Sequence, residues 1–340
     1  MPKDKDLEEI LNQILEKKKP IRDQLLHLMS VDVLSEGIYA LMSMANKMTR
    51  NLFSNMGEVH AQVGINYAPC SKRCKFCIFS RVTKSLEFNK EEIVRRAKAF
   101  EDEGTNTIFL MTTADYNFNK FLSIGRAVRR VINPQMPLVA NIGDFGYNEA
   151  KELLDAGFTA IYHVCRLREG IDTCIDPKDR LATIKAAKSV GLDLSYCIEP
   201  IGPEHTHEEI VDATLLGREL EPTIMATMRR IAVPSTPLSL YEQISELELA
   251  KVEAVTRLAI GDNILAMGVH EPNIPSLLAG ANQIYAETGP NPRDTLEDTS
   301  SGRGFTVERC RQMLREIGYI PREGPARSLQ GPIRKRNSEN

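Results

Sequence analysis

The stretch "KEEIVRRAKAFEDEGTNTIFLM", Lys90 to Met111, holds one whole architectural unit. An amphipathic helix follows the cap-like Asn89, closes at Gly104, and gives way to the apolar run Thr107 to Met111. The unit recurs along the chain. Helical segments such as "YNEAKELLDAG", "PKDRLATIKAAKSVG" and "HEEIVDATLLGREL" alternate with short apolar runs. These runs lie around Val63 to Tyr67, Thr107 to Met111, Leu138 to Ile142, Ala160 to Val164, Leu194 to Ile198, Ile224 to Met228, Ile264 to Met267 and Gln283 to Ala286. Alternation of this kind predicts a βα-repeating parallel sheet, and eight runs predict closure into an α/β (β/α)8 TIM-type barrel.

Working outward, the chain divides into three parts. Residues 1–56 read as an N-terminal helical extension, with Leu7, Ile10, Leu11 and Ile14 and then Ile38 to Met48 as apolar positions. Residues 57–288 form the barrel. Residues 289–340 start with "GPNPRDTLEDTSSGRG", pass to the helix "TVERCRQMLREIG", and read as a C-terminal closing segment with a disordered tail.

The 340 residues are 42% hydrophobic and 26% charged, enough to bury a large core. The net charge of −3 and a pI near 6.1 give no basic stripe for nucleic acid or an anionic membrane, and the short "RKR" at Arg334 to Arg336 reads as solvated. The charged N-terminus has no apolar signal-type core, and no stretch holds about 18 uninterrupted apolar residues, so the expected location is cytoplasmic. Seven cysteines, an odd number, argue for reduced thiols rather than a disulfide framework.

Barrel enzymes keep their chemistry in the loops after the strands. The loop after the first strand is "YAPCSKRCKFCIFS", which places Cys70, Cys74 and Cys77 within one short turn of chain. Short cysteine spacings let one loop wrap an iron–sulfur cluster. A structural zinc would take four protein ligands, and no second cysteine knuckle is present. Buried free thiols are the other reading.

CxxxCxxC with an aromatic before the last cysteine, after a first barrel strand, closely resembles the motif of the radical S-adenosylmethionine (radical SAM) superfamily. The resemblance implies that Cys70, Cys74 and Cys77 bind three irons of a [4Fe–4S] cluster and leave the fourth iron to the amino and carboxylate groups of SAM. It further implies reductive cleavage of SAM to a 5′-deoxyadenosyl radical that abstracts hydrogen from an unactivated C–H bond. Phe76 would lie near the adenine, with loop packing as the alternative.

The resemblance narrows to the branch of biotin synthase, the hydrogenase maturase and methylornithine synthase, over roughly residues 55 to 320. "PKDRLATIKAAKSVGL" is similar to the branch's helix after strand four, which implies that Arg180 reaches the SAM carboxylate; a solvated helix-face cation is the alternative. "YCIEPIGPEHTHEEI" resembles the fifth-strand segment and implies that Gly202, Pro203 and Glu204 approach SAM, with Glu199 at the strand end. "LLAGANQIYAETGPNPRD" resembles the biotin-synthase-type C-terminal segment. Thr112 and Thr113 fall where the superfamily binds the SAM amino group, and Asn141 and Asp144 reach the mouth as ligands or as turn formers.

Strand four supplies "YHVCRLREGIDTC", and Cys165 and Cys174 from it could join Cys197 on a second iron–sulfur cluster, or all three could be core thiols; Cys310 is open to the same two readings. His205 and His207 read as N-terminal capping rather than metal ligation. The chain departs from biotin synthase at the second-cluster positions, read here as Leu110, Val139, Tyr196 and Ile264; Cys197 is one residue off the fifth-strand place, which turns its side chain to the opposite face from Tyr196 unless a bulge intervenes. Arg166, Arg168, Arg229 and Arg230, if inward, would suit an anionic substrate.

Two radical readings follow. The expected one is sulfur insertion of the biotin or lipoyl synthase kind, which needs a second cluster. The other is a maturase or rearrangement chemistry, which does not. A non-catalytic electron-transfer protein would close all four iron positions itself and has no use for Arg180. Expected partners are a small-molecule or acyl-carrier-protein-bound substrate and a reducing donor such as flavodoxin or ferredoxin. No nucleic acid or membrane is expected, and homodimer formation is left open.

Overall fold

The computed structural model describes residues 5–264 and 266–333. Among these, eight parallel strands follow one another around the sheet in chain order. They are β1 (Met56–Gly64), β2 (Thr107–Met111), β3 (Leu138–Asn141), β4 (Ala160–Tyr162), β5 (Asp193–Ile201), β6 (Ile224–Arg229), β7 (Ala266–Val269) and β8 (Gln283–Thr288). β8 pairs in parallel with β1, from Glu58 against Gln283 to Val63 against Thr288. The sheet therefore closes into the (β/α)8 barrel that the sequence predicts.

Helices α1 (Lys5–Leu15), α2 (Arg22–Met29) and α3 (Glu36–Leu52) precede the barrel. The outer layer is α4 (Lys90–Asp102), α5 (Phe118–Val131), α6 (Tyr147–Asp155), α7 (Pro177–Ser189), α8 (His207–Glu219), α9 (Glu246–Ile260) and the short α10 (Ile274–Leu278), followed by α11 (Val307–Glu316). Their starts are written in the sequence. Asn89, Asn117 and Asp176 each accept a backbone N–H in the first turn of α4, α5 and α7, and Pro177 takes the first-turn position of α7 that needs no donor. Thr206 with Glu209 and Ser245 with Glu248 form capping boxes on α8 and α9. Leu7, Ile10, Leu11 and Ile14 of α1 are buried, while α2 packs on α8 and α3 on α9.

Two strand positions differ from the expectation. β1 runs from Met56 to Gly64 rather than Val63 to Tyr67, and Asn66–Tyr67 instead pairs antiparallel with Leu86–Glu87 outside the barrel. Its polar residues Glu58, His60 and Gln62 share the inward face, so the usual rule of apolar-inside alternation misplaces it. β7 spans Ala266–Val269 rather than Ile264 to Met267, with Leu265 outside the described residues.

The chain after β8 crosses the mouth against the end of β1. A Cβ on Gly64 would lie 2.0 Å from the Pro290 carbonyl oxygen, so only glycine admits this crossing. The Ile78 N–H then donates to the Pro292 carbonyl at 3.0 Å, tying the segment to the cysteine loop. At the opposite face Ile320–Pro321 pairs beside Met56–Gly57, and the Arg327 N–H donates to Glu58 at 2.9 Å. Arg334 to Arg336 and the rest of the expected tail lie outside the described residues. Among those described, no helix is long and apolar enough to cross a membrane.

Candidate active site

Strand alternation decides which side chains reach the mouth. Gln62, Met111, Asn141, Tyr162, Glu199 and His270, each near the end of its strand, line one cavity. The loop after β1 brings Cys70, Cys74, Cys77 and Phe76 to the same cavity. That loop is fastened from several sides. Its Cys70 N–H donates to Phe79 at 3.0 Å and its Lys75 N–H to the Asp172 carbonyl at 2.9 Å. The Lys72 carbonyl accepts from the Cys174 N–H at 2.7 Å, and Ser71 donates through its hydroxyl to Asp115 at 2.7 Å. Strand loops two, four and eight thus fix where the thiols stand.

Burial pushes the Cys74 thiol up to about 11 and the Cys77 thiol higher still, against the lowering field of Arg166. A coordinating metal would supply the positive charge that lets such buried thiols ionise. No three His, Cys, Asp or Glu side chains among the described residues gather as ligands of a single ion do. Thiolates on a four-iron cube each address a different corner, so three cysteines that line one cavity without gathering as a single-ion site suit a cluster better than zinc.

Arg180 is 5% exposed and lines the cavity, which overturns the solvated-cation alternative. Its Nη1 donates to Asp144 at 2.9 Å and lies 3.3 Å from His163 Nε2, and its Nε lies 3.4 Å from Glu169. Burial works against the Asp144 carboxylate, but the hydrogen bond to His163 and the charge of Arg180 hold it down at about 2. Burial, together with the neighbouring guanidinium groups, holds His163 down at about 4 against the pull of Asp144. Asp144 is therefore an ion-pair partner rather than a turn former. Arg166 forms a second pair, its Nε 2.9 Å from Glu199, which also accepts a short hydrogen bond from the Tyr162 hydroxyl.

Of the other residues singled out in the sequence, Thr112 and Thr113 line the cavity, and the buried Thr112 Oγ1 has no partner. Gly202 and Glu204 stand at the top of β5 outside that lining, where the Glu204 carboxylate takes both Nε and Nη2 of Arg230 at 2.7 and 3.1 Å. A Cβ on Gly202 would lie 2.2 Å from the Glu204 carboxylate. Arg168 pairs with Glu209 and Arg229 reaches Glu246, so of the four arginines only Arg166 faces the cavity. His205 accepts from the Gly202 N–H at 3.1 Å, and Thr206, not a histidine, caps α8.

Cys165, Cys174 and Cys197 occupy different environments. Cys174 is exposed, Cys197 is fully buried on the inner face of β5, and Cys165 is half-buried; none lines the cavity. Tyr196, read as the inward position of this strand, packs outward against Gly217 of α8, which leaves Cys197 as the inward residue. Leu110 likewise faces outward between the inward Phe109 and Met111. Cys310 is buried between α11 and β8, its thiol 3.5 Å from the Tyr285 carbonyl.

Part of the cavity lining lies outside the sequence motifs. Arg293, within what reads as an "NP" turn, enters the cavity with its Nε 2.9 Å from Glu271 and a short contact to Glu287. His270 and Gln62 were also passed over. Alternation of Glu58, His60 and Gln62 at every second position of "MGEVHAQVG" was the available signal.

No family model matches the chain. It is 28% identical over 334 residues to the biotin synthase of Clostridioides difficile (strain 630), covering 91% of this chain and 97% of the relative. It is 28% identical over 292 residues to the biotin synthase of Desulforudis audaxviator (strain MP104C), covering 82% and 87%. The fold matches that of methylornithine synthase with a TM-score of 0.80 at 18% identity, over 92% of this chain and 97% of that one. It also matches the FeFe-hydrogenase maturase HydG from Carboxydothermus hydrogenoformans with a TM-score of 0.78 at 16% identity, over 93% and 79%.

Proposed function

We propose that this radical SAM enzyme of the biotin synthase-like branch removes hydrogen from an unactivated C–H of a small molecule using one three-cysteine cluster, and completes the reaction on the substrate without a second cluster. The observation that carries it is that Cys70, Cys74 and Cys77 are the cysteines lining the barrel-mouth cavity, facing Arg180 and the unpartnered Thr112 hydroxyl. When bound, a reduced [4Fe–4S] cluster holding SAM on its open iron supplies one electron to the sulfonium and so a 5′-deoxyadenosyl radical.

The chain's own residues do the rest. Cys70, Cys74 and Cys77 hold the cluster. Arg180, paired with Asp144 and Glu169 in the cavity lining, would hold the SAM carboxylate. Thr112 offers its hydroxyl to the SAM amino group and Phe76 packs against the adenine. Gly202 and Glu204 act at one remove, keeping the β5 loop in place through Arg230. The barrel walls exclude water and shield the radical.

A second reading, sulfur insertion, is favoured by the biotin synthases among the relatives and by the inward thiol of Cys197. It needs Cys165 and Cys174 to swing toward Cys197. The seven free thiols suit a cytoplasmic location, with flavodoxin or ferredoxin as electron donor. The test is anaerobic turnover of SAM with a strong reductant. The wild-type protein should release 5′-deoxyadenosine, and the Cys70→Ala, Cys74→Ala, Cys77→Ala protein should release none. Equal release by both would end the radical reading.

A further inference from the structure

Part of the cavity lining carries polar atoms that nothing in the protein satisfies. His270, at the end of β7, is 1% exposed and lines the cavity, yet neither Nδ1 nor Nε2 has a partner. Its ring is fixed by stacking on Tyr285, with centroids 3.8 Å apart and planes 11° apart, and by the edge of Tyr162 at 5.7 Å. Gln62, at the end of β1, is 2% exposed, lines the same cavity, and leaves Oε1 unpartnered. A buried polar atom without a hydrogen bond costs roughly 1–3 kcal/mol, so several in one cavity wall point to a ligand that pairs with them.

The charges nearby say what kind of ligand. Arg293 already holds Glu271 and Glu287, and Arg303 also pairs with Glu271, so two arginines balance two carboxylates. The Arg293 Nη1 meets only the thioether of Met228 at 3.2 Å, a weak acceptor. Glu199 is likewise engaged by Arg166 and Tyr162. Each formal charge on this wall is thus compensated, and an added carboxylate or ammonium would upset that balance in a buried place. Burial, helped by the charge of Arg293, keeps His270 well below its ordinary value and hence neutral, with one ring nitrogen donating and the other accepting.

We propose that Gln62 and His270 form a subsite for an uncharged head group of the substrate that both donates and accepts hydrogen bonds, such as an amide, lactam or hydroxyl. Gln62 Oε1 accepts from its N–H or O–H, and the His270 ring N–H donates to its oxygen. Arg293 and Met228, both in the cavity lining, stand beside it. The subsite rests on the reading of this cavity as the substrate chamber of a radical SAM enzyme.

The experiment is ligand-observed NMR on anaerobically reconstituted protein with three five-membered-ring probes. These are 2-pyrrolidinone, which is neutral with N–H and C=O, cyclopentanecarboxylate and cyclopentylammonium. 2-Pyrrolidinone should bind best. Gln62→Leu and His270→Phe should each weaken it about fivefold or more, the loss of one net hydrogen bond, and His270→Gln, which keeps a donor and an acceptor, should bind it better than His270→Phe. Tighter binding of either charged probe, no binding of 2-pyrrolidinone by the wild type, or unchanged binding in both apolar variants would overturn the proposal. Should His270→Phe fail to fold, Gln62→Leu decides alone. Release of 5′-deoxyadenosine by the wild-type protein is measured separately without probe, so failure of the radical reading and failure of the subsite give different results.

Discussion

The floor and the mouth of the barrel both bury polar side chains, and they settle them differently. At the floor, the Glu58 carboxylate receives the Arg327 N–H at 2.9 Å and the Gln283 amide at 2.7 Å, and contacts His60 at 3.2 Å. His60 and Gln283 retain one unpartnered atom each but do not line the mouth cavity. At the mouth, Gln62, Thr112 and His270 each line the cavity and each carry a buried polar atom that no group of the protein pairs with. The same strand, β1, supplies Glu58 to one end and Gln62 to the other. A buried polar group that the chain satisfies holds the fold, and one aimed into a cavity is there for something that comes and goes.

The largest effect separating the two ends should come from Glu58→Ala. Removing one member of a buried charged network strands its partners, and unfolding stability should fall by about 3–5 kcal/mol in a denaturant titration. Burial raises the Glu58 pKa, but the hydrogen bonds from His60, the Arg327 backbone and Gln283 outweigh it and leave the value below 4.5. Its contribution is therefore present above the unfolded value and is lost as pH falls through the lower folded one. A variant as stable as wild type at pH 7 would remove the floor from this contrast.

Glu253 of α9 sharpens the comparison, because it is buried with Oε1 unpartnered and lines none of the mouth cavity. Burial raises it to about 8, against the hydrogen bond from Thr227 and the charge of Arg257. The folded state then holds a proton that the unfolded state has lost, so stability should decline as pH rises from about 4.5 to about 8. Glu253→Gln should flatten that decline in melting temperature between pH 5 and 8. An unchanged slope would mean that this acid is ionised in the fold.

At the mouth the consequence should appear in binding. Arg180→Ala should weaken SAM affinity by about 1.5–3 kcal/mol, the worth of hydrogen bonds to a charged group, roughly ten- to hundredfold in Kd. Equilibrium binding to the reconstituted protein measures it. SAM affinity equal to that of wild type would leave Arg180 as a partner of Asp144 and Glu169 only.

The barrel was legible because each βα unit repeats the same signals: a capping Asn, Asp, Ser or Thr, an amphipathic helix, and a short apolar run. The cysteine loop was legible because its spacing is local. Facing was harder to read. Barrel strands are buried on both sides, so hydrophobicity does not distinguish inward from outward, and Tyr196 and Cys197 were read on the wrong faces. β1 was displaced for a related reason, since its inward face carries the polar Glu58, His60 and Gln62 where an apolar run is the usual signal. Arg293 escaped because its loop reaches the cavity only by crossing β1 at Gly64, a contact between distant parts of the chain.

The central claim is that a single cluster sits on Cys70, Cys74 and Cys77. Iron and sulfide counted on anaerobically reconstituted protein test it directly. The wild-type chain should carry about four irons, the Cys165→Ala, Cys174→Ala, Cys197→Ala protein should keep them, and the Cys70→Ala, Cys74→Ala, Cys77→Ala protein should fall near zero. About four irons surviving in that last, folded variant would contradict the account and establish a second cluster elsewhere in the barrel.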